Sequence, residues 1–225
     1  MNYHRSASMI VVILVTATVF VAEQTHEDSF GEEWGVTPTK VLIAFGHVRD
    51  AAPSADDLKQ FATLVTYIFL HADIEHILYN MVFLLVFGVL ACELIGQWRT
   101  LAIYLICGIG AGVAQVVMNR QLSVPTIGAS GAVCGLEGLY LGMALRWELP
   151  NANVWPLAYP VAPMQLVLFG VFGFIGDLYL FHGNADHIAH GAHIGGLMTG
   201  VAIAAVLTSV YPTLSAHRIA RKDKN

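Results

Sequence analysis

The stretch Pro125–Gly138, PTIGASGAVCGLEG, decides how this chain is read. It lies among apolar residues, yet it sets a serine between two glycines, adds two more glycines and ends beside a carboxylate, Glu137. Gly131, Gly135, Gly138 and Gly142 recur at spacings of four, three and four, which on a helix gives one face without side chains. Such a face lets two membrane helices approach closely. Ser130 stands at the expected start of that helix, where the first turn leaves backbone N–H groups unpaired and the helix end favours negative charge. A hydroxyl there is a candidate nucleophile, although a single membrane serine is equally a packing or hydrogen-bonding residue.

The surroundings make the helix a membrane helix. Of 225 residues, 56% are hydrophobic and 12% charged, with a mean hydropathy of +0.63. Soluble domains carry about a quarter charged residues. Several apolar runs approach the roughly 20 residues that cross a bilayer. The expectation is an all-α polytopic membrane protein with six spans, at about 7–22, 74–95, 100–118, 129–147, 162–181 and 189–210. The first follows Arg5 and also has the form of a cleavable signal segment. The whole chain, 1–225, reads as a single membrane domain with a long external loop at about 23–70 and a basic cytoplasmic tail at about 211–225. Short surface helices are expected within that loop, because long connections are usually structured or functional.

Basic residues orient the spans. Arg5, Arg99, Arg146 and the tail residues Arg218, Arg221, Lys222 and Lys224 fall on one side; Lys40, Arg49, Lys59 and Arg120 fall on the other. Both termini are therefore expected in the cytoplasm, with spans two, four and six starting at the external face. A net charge of −5 without a basic patch gives no support for a nucleic-acid partner. The three cysteines, Cys92, Cys107 and Cys134, lie in apolar runs and read as small hydrophobes.

Two further polar clusters open spans at the same face. In HADIEHILYN, His76 and Asn80 are one turn apart and both can donate hydrogen bonds; they read as a functional pair or as interhelical ties. In DHIAHGAHIGGLMTG, His187, His190 and His193 precede a second small-residue pair, Gly196 and Gly200. Two glycine-faced helices can bring Ser130 to His193, and a neutral imidazole is suited to take a serine proton near pH 7. The histidine run could instead hold a metal, but no cluster of acidic or cysteine ligands accompanies it.

Taken together, HxxxxHxxxN at 71–80, GASG at 128–131 and AHxxGxxxG at 192–200 resemble the rhomboid intramembrane serine proteases, over about Phe69 to Gly200. The resemblance implies a six-helix core around a water-accessible cavity, in which a Ser–His dyad cleaves single-pass transmembrane proteins within the lipid bilayer. Ser130 would be the nucleophile, His193 the general base, and His76 and Asn80 the oxyanion hole together with the Ser130 N–H. His71 would be structural, and Gly131, Gly138, Gly196 and Gly200 would pack the helices at the site. Lateral access is expected past span five, with Gly170, Gly173, Gly176 and the loop FHGNADH as gate and cap elements. No cofactor and no metal are implied, and a bacterial inner (plasma) membrane is the expected location. An inactive, client-binding relative is the alternative.

Three positions depart from the family pattern. Cys134 stands where an aromatic usually packs on the catalytic histidine, and Ala62-Thr63 stands where a Trp-Arg pair is usual. With no soluble segment ahead of the first span, substrate choice is expected to fall to the membrane core and loops. Glu137, seven residues after Ser130, is about 10 Å deeper on the same face. It reads either as a neutral, hydrogen-bonded carboxyl or as a holder of water below the dyad.

Overall fold

A computed structural model describes residues 6–25, 30–152, 160–183 and 189–211. The described residues are helical throughout, with two isolated antiparallel bridges, Val36 with Thr126 and Ala152 with Val161. The helices are α1 (Ala7–Thr25), α2 (Phe30–Trp34), α3 (Pro38–Asp50), α4 (Ala55–Thr66), α5 (Ile74–Phe83), α6 (Val89–Ile95), α7 (Gln97–Met118), α8 (Ser130–Ala144), α9 (Pro163–Gly183) and α10 (His190–Val210).

The long polar segment folds into α2, α3 and α4. Ser54 opens α4 with a reciprocal cap: its hydroxyl accepts the Asp57 N–H at 3.1 Å, and the Asp57 carboxylate accepts the Ser54 N–H at 2.9 Å. The His47 ring reaches the same carboxylate at 3.0 Å and ties α3 to α4. The Ser54 side-chain and backbone hydrogen bonds, with a smaller contribution from His47, hold the Asp57 carboxyl below its usual range.

α5 and α6 form one rod, Ile74–Ile95, joined by a π-helical turn at Leu84–Gly88. At Gly88 a side chain would stand 3.0 Å from the Met9 sulfur, so the glycine lets α1 seat its fully buried Met9 on the rod. Gly96, at φ +90°, makes the reversal between α6 and α7.

Four helices are long and apolar enough to cross a membrane: Ala7–Thr25, the rod Ile74–Ile95, Gln97–Met118 and His190–Val210. The expected fourth span, 129–147, is the helix Ser130–Ala144, and its 15 residues give way to a turn at 145–147. Ten of those 15 residues are buried, so α8 is walled by protein and need not match the thickness of lipid. In α9, the stretch Pro163–Phe172 forms a shorter apolar segment.

α8 runs through the middle, between α7 and α10, and the packing is backbone on backbone. A Cβ at Gly196 would collide with the Gly131 carbonyl, one at Gly200 with the Gly135 carbonyl, and one at Gly138 with the Leu197 carbonyl. On its other side, Gly131 would place a Cβ 2.6 Å from that of Ala111 in α7. This close crossing sets the relative height of the two helix starts that carry Ser130 and His193.

Candidate active site

The segment leading to Ser130 is held from three directions before α8 begins. Thr126 exchanges backbone hydrogen bonds with Val36 at 3.0 and 2.9 Å. Gly128 donates its N–H to the Tyr67 carbonyl at 2.9 Å, and Ala129 donates to the His71 Nε2 at 3.4 Å. Tyr67 is itself fixed by its hydroxyl, which donates to the Gly108 carbonyl at 2.7 Å.

His71 accepts on Nε2, so its neutral ring carries the proton on Nδ1. Burial, and secondarily the adjacent His76, lower its pKa to about 4. The two rings lie 5.0 Å apart at 63°, an edge contact.

Ser130 is the first residue of α8 and His193 the fourth of α10. The His193 Nε2 and the Ser130 Oγ are 2.8 Å apart. With the imidazole neutral and protonated on Nδ1, the hydroxyl donates to Nε2, the geometry of a nucleophile beside its base. His190 packs edge-on against His193, with centroids 6.1 Å apart at 86°. Cys134 is half-buried in the cavity wall, so the ring that braces His193 comes from α10 itself.

His76 lies over Gly128. A Cβ on that glycine would be 2.7 Å from the His76 Nε2, and Gly128 has φ +125°, a conformation that suits glycine. The imidazole thus reaches the backbone immediately ahead of the serine. Asp73 caps α5 and accepts the His76 N–H at 2.8 Å. Asn80, buried one turn later, donates from Nδ2 to the His76 carbonyl at 2.8 Å, which leaves its second N–H for another acceptor.

Ser130, His193, His76 and Asn80 all line one cavity of ≈ 1030 Å³. Glu137 lines it as well, half-buried, with its Oε1 2.8 Å from where a Gly170 Cβ would stand. A stacked pair, Phe83 of α5 and Phe169 of α9, closes ring on ring at 5.9 Å and 14° between those helices. His187 and most of the loop FHGNADH lie outside the described residues. Among the described residues, no group of three or more His, Cys, Asp or Glu side chains is arranged to hold a metal ion.

Sequence reasoning passed over Gln115, which is buried beside the dyad and bonded to both α10 and the loop before Ser130. Its one sequence signal is a pair of amides, Gln115 and Asn119, one turn apart at the end of an apolar helix.

Residues 58–210 match the family model for the Rhomboid domain. The chain is similar to "RHOMBOID-like protein 6, mitochondrial" of Arabidopsis thaliana, at 32% identity over 146 residues, 64% of this chain and 43% of the relative. It is also similar to "Rhomboid protease GluP" of Bacillus subtilis (strain 168), at 30% over 174 residues, 77% of this chain and 31% of the relative. A third relative, "Rhomboid protease AarA" of Providencia stuartii, is 27% identical over 147 residues, 60% of this chain and 51% of the relative. The chain spans about half or less of the length of these relatives. With a matching domain over most of its length and four membrane-length apolar helices, the chain is an integral membrane protein that belongs to the rhomboid family.

Proposed function

We propose that this chain is an intramembrane serine endopeptidase that hydrolyses peptide bonds in or near the transmembrane segments of single-pass membrane proteins. The observation that carries the reading is the 2.8 Å contact between the Ser130 Oγ and the His193 Nε2 in the wall of a cavity large enough for a peptide segment. Two of the bacterial relatives, GluP and AarA, are named proteases, which supports the same reaction class.

In the first half-reaction His193 takes the Ser130 proton as Oγ attacks the scissile carbonyl. The oxyanion is met by the Ser130 N–H, the His76 Nε2–H and the free N–H of Asn80. Donors held in place before the charge develops need no reorganisation, and each is typically worth 10²–10³ in rate. The His193 imidazolium then protonates the leaving amine, and an acyl-enzyme remains on Ser130. Water attacks that ester while His193 again takes the proton, and the collapse of the second oxyanion returns Ser130. A substrate helix hides its carbonyls in its own hydrogen bonds, so small or helix-weakening residues near the outer face are favoured at the cleavage site.

The chain is proposed as a single domain of six spans, α8 and α9 supplying the two beyond the four membrane-length helices, with both termini cytoplasmic. The distribution of basic residues supports that orientation, and an inner-membrane location is proposed with it. Packing of Met9 against Gly88 supports a first span retained in the working protein. Lateral substrate access between α5 and α9 is supported by the nature of that seam, a stacked aromatic pair that can swing apart.

The test is cleavage of a labelled single-span substrate by purified protein in vesicles, comparing wild type with Ser130→Ala, with and without a chelator. Cleavage that persists in Ser130→Ala removes the serine mechanism, and loss on chelation points to a metal. Binding of several such substrates without cleavage of any would favour the inactive relative, for which the substitution Cys134 is the motivating observation.

A further inference from the structure

We propose that Gln115 is a positioning residue that sets the height and rotation of His193 relative to Ser130, by capping α10 from a neighbouring helix while holding the loop that delivers the serine. This rests on the proteolytic reading of the dyad and adds a residue to it.

The case begins at the start of α10. Its N-cap residue is Ala189, whose side chain cannot accept a hydrogen bond, so the first turn has no side-chain cap of its own. The Ala192 N–H, next to His193 in sequence, is shared: it donates to the Ala189 carbonyl at 2.9 Å and, in a buried contact, to the Gln115 Oε1 at 3.1 Å. A backbone N–H can only donate, so the Gln115 atom facing it must be the oxygen; the orientation of the amide follows from chemistry. Asn119, the residue that follows α7, donates to the same Oε1 at 3.1 Å and braces it.

The nitrogen then points the other way. Gln115 Nε2 donates to the Thr126 Oγ1 at 3.3 Å, and Thr126 lies four residues ahead of Ser130 in the bridge with Val36. One planar amide therefore joins the start of α10 to the loop ahead of α8. Those are the two segments whose separation fixes the 2.8 Å contact of the dyad. Gln115 is buried, so neither bond is exchanged freely with water.

Gly191 supplies a second, independent handle. A Cβ there would stand 2.6 Å from the Gln115 Oε1 and 2.8 Å from the Asn119 Nδ2. Alanine at 191 is favoured over glycine by intrinsic helix propensity, yet it would push the amide off the Ala192 N–H. The substitution thus displaces the amide while leaving Gln115 itself in place.

The experiment uses the full chain in vesicles with a labelled single-span substrate. It measures kcat, KM, the thermal midpoint, and amide hydrogen exchange of the peptide covering the first turn of α10. Gln115→Met keeps the shape and removes all three hydrogen bonds of the amide; Thr126→Val removes one, and Thr126→Ser restores the hydroxyl. Small misplacements of reacting groups lower rates by roughly 10²-fold. Gln115→Met and Gly191→Ala should each lower kcat by about 10- to 100-fold, with KM within about 3-fold. They should speed exchange at the start of α10, and in combination lose little more than either alone. Thr126→Val should lose kcat and Thr126→Ser should keep it. The proposal is overturned if Gly191→Ala keeps wild-type kcat, or if the losses track the thermal midpoint across the set. Should the wild type prove not to cleave, the exchange measurement still decides: wild-type protection of the first turn of α10 in Gln115→Met overturns the positioning role independently of the protease reading.

Discussion

Gly196 of α10 rests directly on the carbonyl of Gly131 in α8, with no room for a methyl group between them. The contact lies one residue beyond Ser130 and three beyond His193, so any separation of the two helices there is transmitted to the dyad. Gly196→Ala is expected to destabilise the protein by about 1–3 kcal/mol through overpacking, and to lower kcat by at least about 100-fold, because Oγ and Nε2 no longer meet. Gly46→Ala in α3 is the control, since nothing lies within 4 Å of that position. Thermal unfolding and turnover of both variants check the contrast.

Gly128 is predicted to be as sensitive for a different reason. Alanine would be strained at φ +125° and would strike the His76 ring. Gly128→Ala and His76→Ala should therefore both lower kcat by about 10²–10³, and the double variant should be no worse than the poorer single one. Additive losses would separate the glycine from the histidine.

Protonation of His71 gives a pH signature. Its pKa is about 4 in the fold, held down first by burial and then by His76, against an unfolded value near 6.5. Above pH 6.5 both states are neutral and the residue contributes no pH dependence. Between pH 6.5 and 4 the unfolded chain binds a proton that the native state refuses, so stability falls as the pH falls. The loss approaches ~3 kcal/mol once the pH is below about 4. His71→Gln should flatten this part of the acid limb relative to wild type in denaturation measured from pH 8 to 4. An unchanged difference across that window would contradict the assignment.

The aromatic pair Phe83–Phe169 should restrain substrate entry. Phe169→Ala removes the ring that stacks at 5.9 Å on α5. Such pairs contribute about 0.5–1.5 kcal/mol beyond their area, so the variant is expected to cleave a transmembrane substrate a few-fold faster. A short water-soluble peptide, which need not pass between helices, should be cut at the wild-type rate. Equal acceleration of both would point away from a lateral route.

Hydropathy made the long helices legible. The second span, read as 74–95, coincides with the rod Ile74–Ile95, and the last, read as 189–210, begins one residue later at His190. The fourth, expected at 129–147, is shorter. The helix stops at Ala144, since α8 is sheathed by neighbours and its length answers to packing instead of lipid. The glycine spacings revealed which faces of α8 and α10 could approach, because a missing side chain leaves a periodic trace in sequence. Gln115 left none. A lone buried amide acts through partners at positions 126 and 192, and no local pattern encodes contacts so distant along the chain. The bracing ring of His190 was hidden for a related reason: attention falls on position 134, where side chains would meet across helices, while the fold uses a neighbour on the same helix.

The π turn at Leu84–Gly88 divides the α5–α6 rod into two pieces with separate angular settings. Above it, His76 and Asn80 are aimed at the cavity; below it, Leu90, Ala91 and Cys92 are aimed at the core. One residue of α-helix corresponds to about 100° of rotation. The wide turn takes up one extra residue without re-aiming either piece, whereas deleting a residue from the α-helical part of the rod would swing one piece by about that angle against the other. The rod thus works as two keys on one shaft, with the irregular turn as the collar that lets each fit its own lock.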